Sequence, residues 1–212
     1  MINSYFEKSF GFFSEAGGRM RELEEAIHQM GYGIGQDIVQ AGRFLNHRID
    51  TRLLTQMGAE IARHFQDDVP ELVMTVEASG IALAVAAAQA LNKLPVLFIK
   101  KTPASNQRDE QFTATVHSYT HGTEYEMRCA KEYLPEGTRV LIVDDFLADG
   151  EAVRGMMSLI QQAGAIAVGV AVAIEKGFQQ GGKALRAQGV KLLSLSVVRE
   201  IRDGKIILND NR

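Results

Sequence analysis

The sequence predicts an α/β domain with a doubly wound, mainly parallel sheet. Three observations lead there. Unbroken apolar runs such as Leu72–Val76, Val140–Val143 and Ile166–Ile174 alternate with helical patterns. Such runs suit strands covered on both faces. Each run also ends in polar or charged residues, and open α/β sheets bind ligands at those carboxyl ends. Finally, the chain has 212 residues, a length suited to one domain with a full core.

Taken in order, residues 1–19 form an N-terminal arm rich in aromatics (Phe6, Phe10, Phe12, Phe13), and Gly17-Gly18 punctuates it. Met20, Leu23, Ile27 and Met30 then share one face of an amphipathic helix that stops at Gly31. Residues 35–50 mix strand and loop signals and lead to a helix over about 50–65. "ELVMTVEASG" is a strand closing on Glu77 and Gly80, and "IALAVAAAQAL" a buried helix. "PVLFI" is a short strand ending in Lys100 and Lys101. "TPASNQRDEQ" is a polar loop. "FTATVHSYT" and "EYEMRCAKEYL" form a hairpin turning near His121 and Gly122. "RVLIVDD" returns to the sheet, and "EAVRGMMSLIQQAG" is a helix stopped by Gly164. "AIAVGVAVAIEK" is a strand, "QQGGKALRAQGV" a short helix, "KLLSLSVVRE" a strand and "GKIIL" an edge strand. One domain over residues 20–212 follows. Residues 20–50 and the C-terminal segment supply a small hood, and the hairpin at 112–134 a flap.

Composition narrows the class. Hydrophobic residues are 46% and charged residues 23%, and the formal net charge is −3. That charge favours neither nucleic acid nor an anionic membrane as partner. Cys129 is the single cysteine, so no disulfide framework exists within the chain and a reducing cytoplasm is the expected compartment. It has no His or Cys at ligand spacing and reads as an apolar filler. No run has the length of a membrane span. The start of the chain lacks the basic and apolar regions of a signal peptide. The five histidines show no metal spacing.

Four strand ends carry the chemistry: Glu77-Ala78-Ser79-Gly80, Lys100-Lys101, Asp144-Asp145 and Glu175-Lys176. Strand alternation aims Asp144 and Asp145 differently. Adjacent carboxylates suit vicinal hydroxyls, or a hydrated Mg²⁺ that takes few protein ligands. The turn from Ala148 to Ala152 enters a helix. Gly150 allows close backbone approach, and the helix start offers free N–H groups and positive potential, a pocket for phosphate. Acids for hydroxyls beside amides for a phosphate describe a pentose-phosphate site. Asp149 acting merely as a helix cap accounts for the same turn, and both readings stand open. The chain has neither a Walker loop nor, in "GYGIG", a dinucleotide fingerprint.

"VLIVDDFLADGEA" resembles the phosphoribosyl diphosphate (PRPP) motif of type I phosphoribosyltransferases. "FLNHRID", "VEASGIALAVAAAQAL", "PVLFIKK", "TATVHSYT" and "AVAIEKGFQ" are similar in addition to the bacterial xanthine phosphoribosyltransferase family, in register from about Met20 to near the C-terminus. The resemblance implies the type I fold with a hood and a β-hairpin flap. It implies transfer of ribose 5-phosphate from PRPP to a purine, with release of diphosphate. Mg²⁺ as cofactor, a homodimer and purine salvage come with it.

By position, the resemblance places Ala148, Asp149, Gly150, Glu151 and Ala152 around the 5′-phosphate, and Asp144 and Asp145 at the ribose hydroxyls. Glu77, Ala78, Ser79 and Gly80 lie against the diphosphate, with Lys100 and Lys101 neutralising it. Asn46 and Lys176 contact the purine, and Val39 lines its pocket. Mg²⁺ is held mainly by PRPP and water, with no direct protein ligand. An ammonium only donates, so Lys176 selects a purine carrying a 6-oxo group. The chain departs at Ala148 from the pattern of the hypoxanthine-guanine relatives, which carry an aspartate in the role of general base at that position. Asp149 stands where such turns often carry a hydroxyl or amide residue. Two further readings are an adenine or hypoxanthine-guanine transferase and a non-catalytic PRPP-sensing regulator. For the regulator, the first forty residues are too short for a winged-helix domain.

Overall fold

The computed structural model describes residues 20–101, 110–118 and 123–209. The N-terminal arm, most of the polar loop after Lys101, the flap turn at His121-Gly122 and the last three residues lie outside them.

Ten strands and five helices follow one another among the described residues. Helix α1 (Arg21–Met30) buries Leu23, Ala26 and Ile27. It is followed by a small antiparallel hairpin, β1 (Tyr32–Ile34) and β2 (Ile38–Gln40). The mixed signals after Gly31 arise here: the strands are three residues each, too short for a periodic pattern. A single π-helical turn, Gly42–Asn46, leads on to helix α2 (Thr51–Phe65). Asp50 caps α2 by accepting the Arg52 and Leu53 amides at 3.0 and 3.1 Å, a bond set that contributes about 1 kcal/mol.

Next come β3 (Leu72–Val76), α3 (Ile81–Ala90) and β4 (Val96–Ile99). The flap is β5 (Gln111–Ser118) paired antiparallel with β6 (Thr123–Ala130). The second half alternates: β7 (Arg139–Leu147), α4 (Glu151–Gln162), β8 (Ile166–Lys176), α5 (Gly181–Ala187), β9 (Leu192–Arg202) and β10 (Lys205–Leu208).

One sheet orders as β10-β9-β8-β7-β3-β4, parallel throughout except for β10. Its faces bury two cores. One gathers α1, α2 and α3 around Met57, Ile61, Phe65, Leu83 and Leu195. The other gathers α4, α5 and the flap strands around Val116, Met127, Met156, Leu159 and Leu185. Both faces of β7 are therefore covered, which is why its sequence runs apolar without alternating. The hairpin β1–β2 leans on the C-terminal strands, with the Gly33 amide donating to the Gly204 carbonyl at 2.9 Å. The flap is tied to the sheet by paired backbone bonds between Lys100 and Arg128.

Candidate active site

Strands β8, β7 and β3 are neighbours, so the polar ends read in the sequence meet at one edge. The acid doublet ends there, nearly sealed: Asp144 and Asp145 are each 5% exposed. Asp145 is bound by neutral donors, Ser79 Oγ and Asn46 Nδ2, each at 3.0 Å. Asp144 Oδ1 accepts the Asp145 amide at 2.9 Å. Burial, and then the neighbouring Asp145 charge, hold the Asp144 carboxyl well above the usual carboxylate range, with Lys101 opposing weakly. Ionising both acids is therefore unfavourable without a cation, and among the described residues the doublet has no cationic hydrogen-bond partner.

The turn after β3 presses against this doublet. A Cβ on Gly80 would stand 2.3 Å from Thr75 Oγ1 and 2.5 Å from Asp144 Oδ1, so only glycine fits. The Glu77 carboxylate accepts the Lys101 amide at 2.6 Å, which closes the turn onto the end of β4. The Glu77–Ala78 peptide is cis.

The turn after β7 is built differently. Gly150 has φ +86, a left-handed conformation that favours glycine. It is the N-cap of α4 and no side chain caps the helix. The first amides of α4 therefore lack an intrahelical partner and point outward. This excludes Asp149 as the helix cap. Arg154 folds back instead, donating to the Asp149 carbonyl at 2.7 Å and pairing with Glu151 at 2.5 Å. In front of the amides lies a cleft of about 140 Å³ running from Phe146 to Val153, with His117 and Tyr125 of the flap opposite.

At the end of β8 the doublet Glu175-Lys176 separates. Lys176 is buried and donates to the Asp37 carbonyl in the β1–β2 turn at 2.8 Å. Burial lowers its pKa, while the charges of Asp37 and Asp149 oppose that shift. The Asp149 charge thus acts on Lys176. An ammonium carries three donors, and the Asp37 carbonyl takes one of them.

The site therefore gathers Asn46, Glu77–Gly80, Lys101, Asp144, Asp145, Ala148–Ala152 and Lys176. Lys100 is not among them. Alternation at the end of β4 turns it into a separate groove with Pro95, Phe98 and Tyr133. Lys101 instead lies over the Tyr125 ring, 5.0 Å from its centre. Val39 is buried in the larger core. Cys129 is buried too, its thiol pushed up to about 11, as an inert filler requires.

Sequence reading missed Tyr125, His117 and Arg154. Tyr125 lies opposite the buried Val116, so the strand period turns it inward, whereas His117 pairs with Glu124 on the other face and the period gives no signal for it. Among the described residues, no cluster of three or more His, Cys, Asp or Glu is placed to hold a metal. Both oxygens of Asp145 are already engaged by Asn46 and Ser79. This donor set fits a cation that arrives with most of its ligands, as Mg²⁺ on a diphosphate does.

A mainly parallel sheet, an acid pair at a strand end and an uncapped helix start beside it define an α/β protein that handles a sugar phosphate. Residues 41–195 match the phosphoribosyl transferase domain. The chain belongs to the phosphoribosyltransferase family. It is 39% identical to a xanthine phosphoribosyltransferase of Alkaliphilus metalliredigens, over 91% of this chain and 95% of that one. It is 42% identical to that of Clostridioides difficile, over 88% of this chain and 98% of that one. Among solved structures, the adenine phosphoribosyltransferase of Rhodothermus marinus shares the fold with a TM-score of 0.66 at 22% identity. That likeness covers 84% of this chain and 99% of that chain.

Proposed function

We propose that this protein is a purine phosphoribosyltransferase that converts xanthine and PRPP to xanthosine monophosphate (XMP) and diphosphate, in purine salvage. The observation that carries the chemistry is the juxtaposition of Asp144 and Asp145 with the uncapped start of α4. The choice of xanthine rests on the relatives above, identical at about two positions in five over most of the chain.

In this reading the amides from Ala148 to Ala152 hold the 5′-phosphate. Asp144 and Asp145 face the ribose hydroxyls, and their charge supports the cationic character that develops at the anomeric carbon. A purine ring nitrogen attacks that carbon as its bond to the diphosphate oxygen breaks. The Glu77–Gly80 turn and Lys101 receive the leaving diphosphate. Mg²⁺, when bound with PRPP, neutralises diphosphate charge. Ala148 offers no base, so the purine proton goes to solvent, to the substrate itself or to another group of the site. Lys176 donates to the 6-oxo group, and Asn46 keeps one N–H and its carbonyl for the base. Residues 20–50 and the C-terminal strands form the hood over the purine. The flap excludes water that would otherwise hydrolyse PRPP. The working unit is a homodimer.

The test is turnover of each of the four purine bases with PRPP and Mg²⁺. Xanthine is expected to give the highest kcat/KM. Fastest turnover of adenine would overturn the assignment of Lys176.

A further inference from the structure

The wall behind the phosphate turn is also built, and from residues distant in sequence. Helix α5 has seven residues, too few to be stable alone. Two of its residues make no ordinary surface contact. The Gly181 amide donates to the Ala148 carbonyl at 3.1 Å. A Cβ on Gly181 would stand 2.3 Å from that oxygen and 2.7 Å from the Gly150 nitrogen. At Gly182 a Cβ would stand 2.0 Å from Glu175 Oε1.

What keeps α5 there is a two-pronged fork onto a buried carboxylate. Arg186 donates to Glu175 through both terminal nitrogens, at 2.8 and 2.7 Å. Ser194 Oγ on β9 donates to the same carboxylate at 2.5 Å. Burial works to raise the Glu175 pKa. The bonds from Arg186 and Ser194 and the guanidinium charge outweigh it and hold the carboxyl below its ordinary range. Every strong donor around Glu175 comes from scaffold, so it is a structural anion beside a ligand site, not a ligand group.

We propose that Glu175, Arg186 and Ser194 are positioning residues for the 5′-phosphate subsite. They fix α5, and α5 fixes the Ala148 carbonyl through Gly181. That contact sets the direction of the amides from Gly150 onward. The inference rests on the phosphate assignment made above. A shift of the turn by about 1 Å is enough to cost one to two orders of magnitude at an oriented site.

The test uses the full chain and reads three quantities: KM for PRPP, KM for xanthine, and binding of ribose 5-phosphate alone by calorimetry. Arg186→Met is expected to raise KM for PRPP and the dissociation constant of ribose 5-phosphate about tenfold. KM for xanthine should stay within about twofold, because Lys176 is held by Asp37 and not by the fork. Arg186→Lys restores one bond and should fall between. Gly181→Ala, which leaves the fork intact, should produce the same selective loss. Combining it with Arg186→Met should add little, since both act through one contact.

Unchanged ribose 5-phosphate binding in Arg186→Met and Gly181→Ala would overturn the proposal. So would an equal rise in both KM values. Should Arg186→Met fail to fold, the lysine and Gly181 variants decide. A wild-type protein that binds ribose 5-phosphate but does not turn over xanthine would refute the choice of substrate and leave this inference standing.

Discussion

Two polar doublets end neighbouring strands of one sheet, Asp144-Asp145 on β7 and Glu175-Lys176 on β8, and they are treated in opposite ways. At β8 the acid is satisfied by a permanent cation and a hydroxyl, and the lysine by a carbonyl. At β7 two acids are buried together and receive only neutral donors. The β8 acid is held below its ordinary pKa, whereas Asp144 is held above it. The two doublets thus differ not in charged residues but in compensation, and the proposed reaction centre is the one whose acids lack a cationic partner among the described residues. Among the described residues only the Lys101 charge acts on this doublet, weakly, at the place where the proposed function sets the diphosphate and the sugar carbon.

The sharpest way to break this comparison is to remove an unbalanced charge. Asp145→Ala should lower kcat/KM by about two to three orders of magnitude, since it removes charge aimed at the transition state and the anchor of Ser79 and Asn46. Steady-state rates with xanthine and PRPP check it. Gly150→Val comes next. A β-branched residue does not adopt φ +86 without strain, and its side chain would meet Arg154 and Gly181 at 3.0 and 3.2 Å. PRPP affinity by calorimetry should fall about a hundredfold with helix content by circular dichroism retained.

Lys176→Met probes the balanced doublet. It should raise KM for xanthine about tenfold and erode discrimination against adenine, while binding of PRPP changes little.

Asp144→Asn sharpens the contrast in the opposite sense. A carboxyl with a raised folded pKa binds its proton more tightly folded than unfolded. Stability is then lost as pH rises from the ordinary carboxylate range to that raised value. The ligand-free asparagine variant should therefore melt a few degrees above wild type at neutral to alkaline pH, with the difference vanishing in acid. Its activity should be lost. Glu175 carries the reverse sign, so its contribution is present above the ordinary carboxylate range and lost as pH falls through its depressed value. The smallest effect is expected from Asp149→Asn. Removing a negative charge beside the phosphate turn should leave PRPP affinity equal or up to about threefold better.

The sheet was legible in the sequence because its strands are covered on both faces and read as apolar runs between helices. So were the residues where those runs end in charge. The acid doublet and the Ala148–Ala152 turn are contiguous, and contiguous chemistry survives translation into a string. What the string hides is who satisfies whom. Nothing local to Glu175 announces Arg186 or Ser194, 11 and 19 residues away. Nor does the sequence near Asn46 announce Asp145, which is 99 residues distant. Lys100 and Lys101 look equivalent as letters, and only the alternation of β4 and the crossing of the flap separate them. The hairpin β1–β2 escaped because three-residue strands carry too little pattern to declare a period.

A crystal of the protein with XMP bound tests the central assignment most directly. The account predicts phosphate density against the amides from Ala148 to Ala152, ribose hydroxyls at Asp144 and Asp145, and the base beside Lys176. Phosphate lodged anywhere else, with that helix start closed off by side chains, would contradict it.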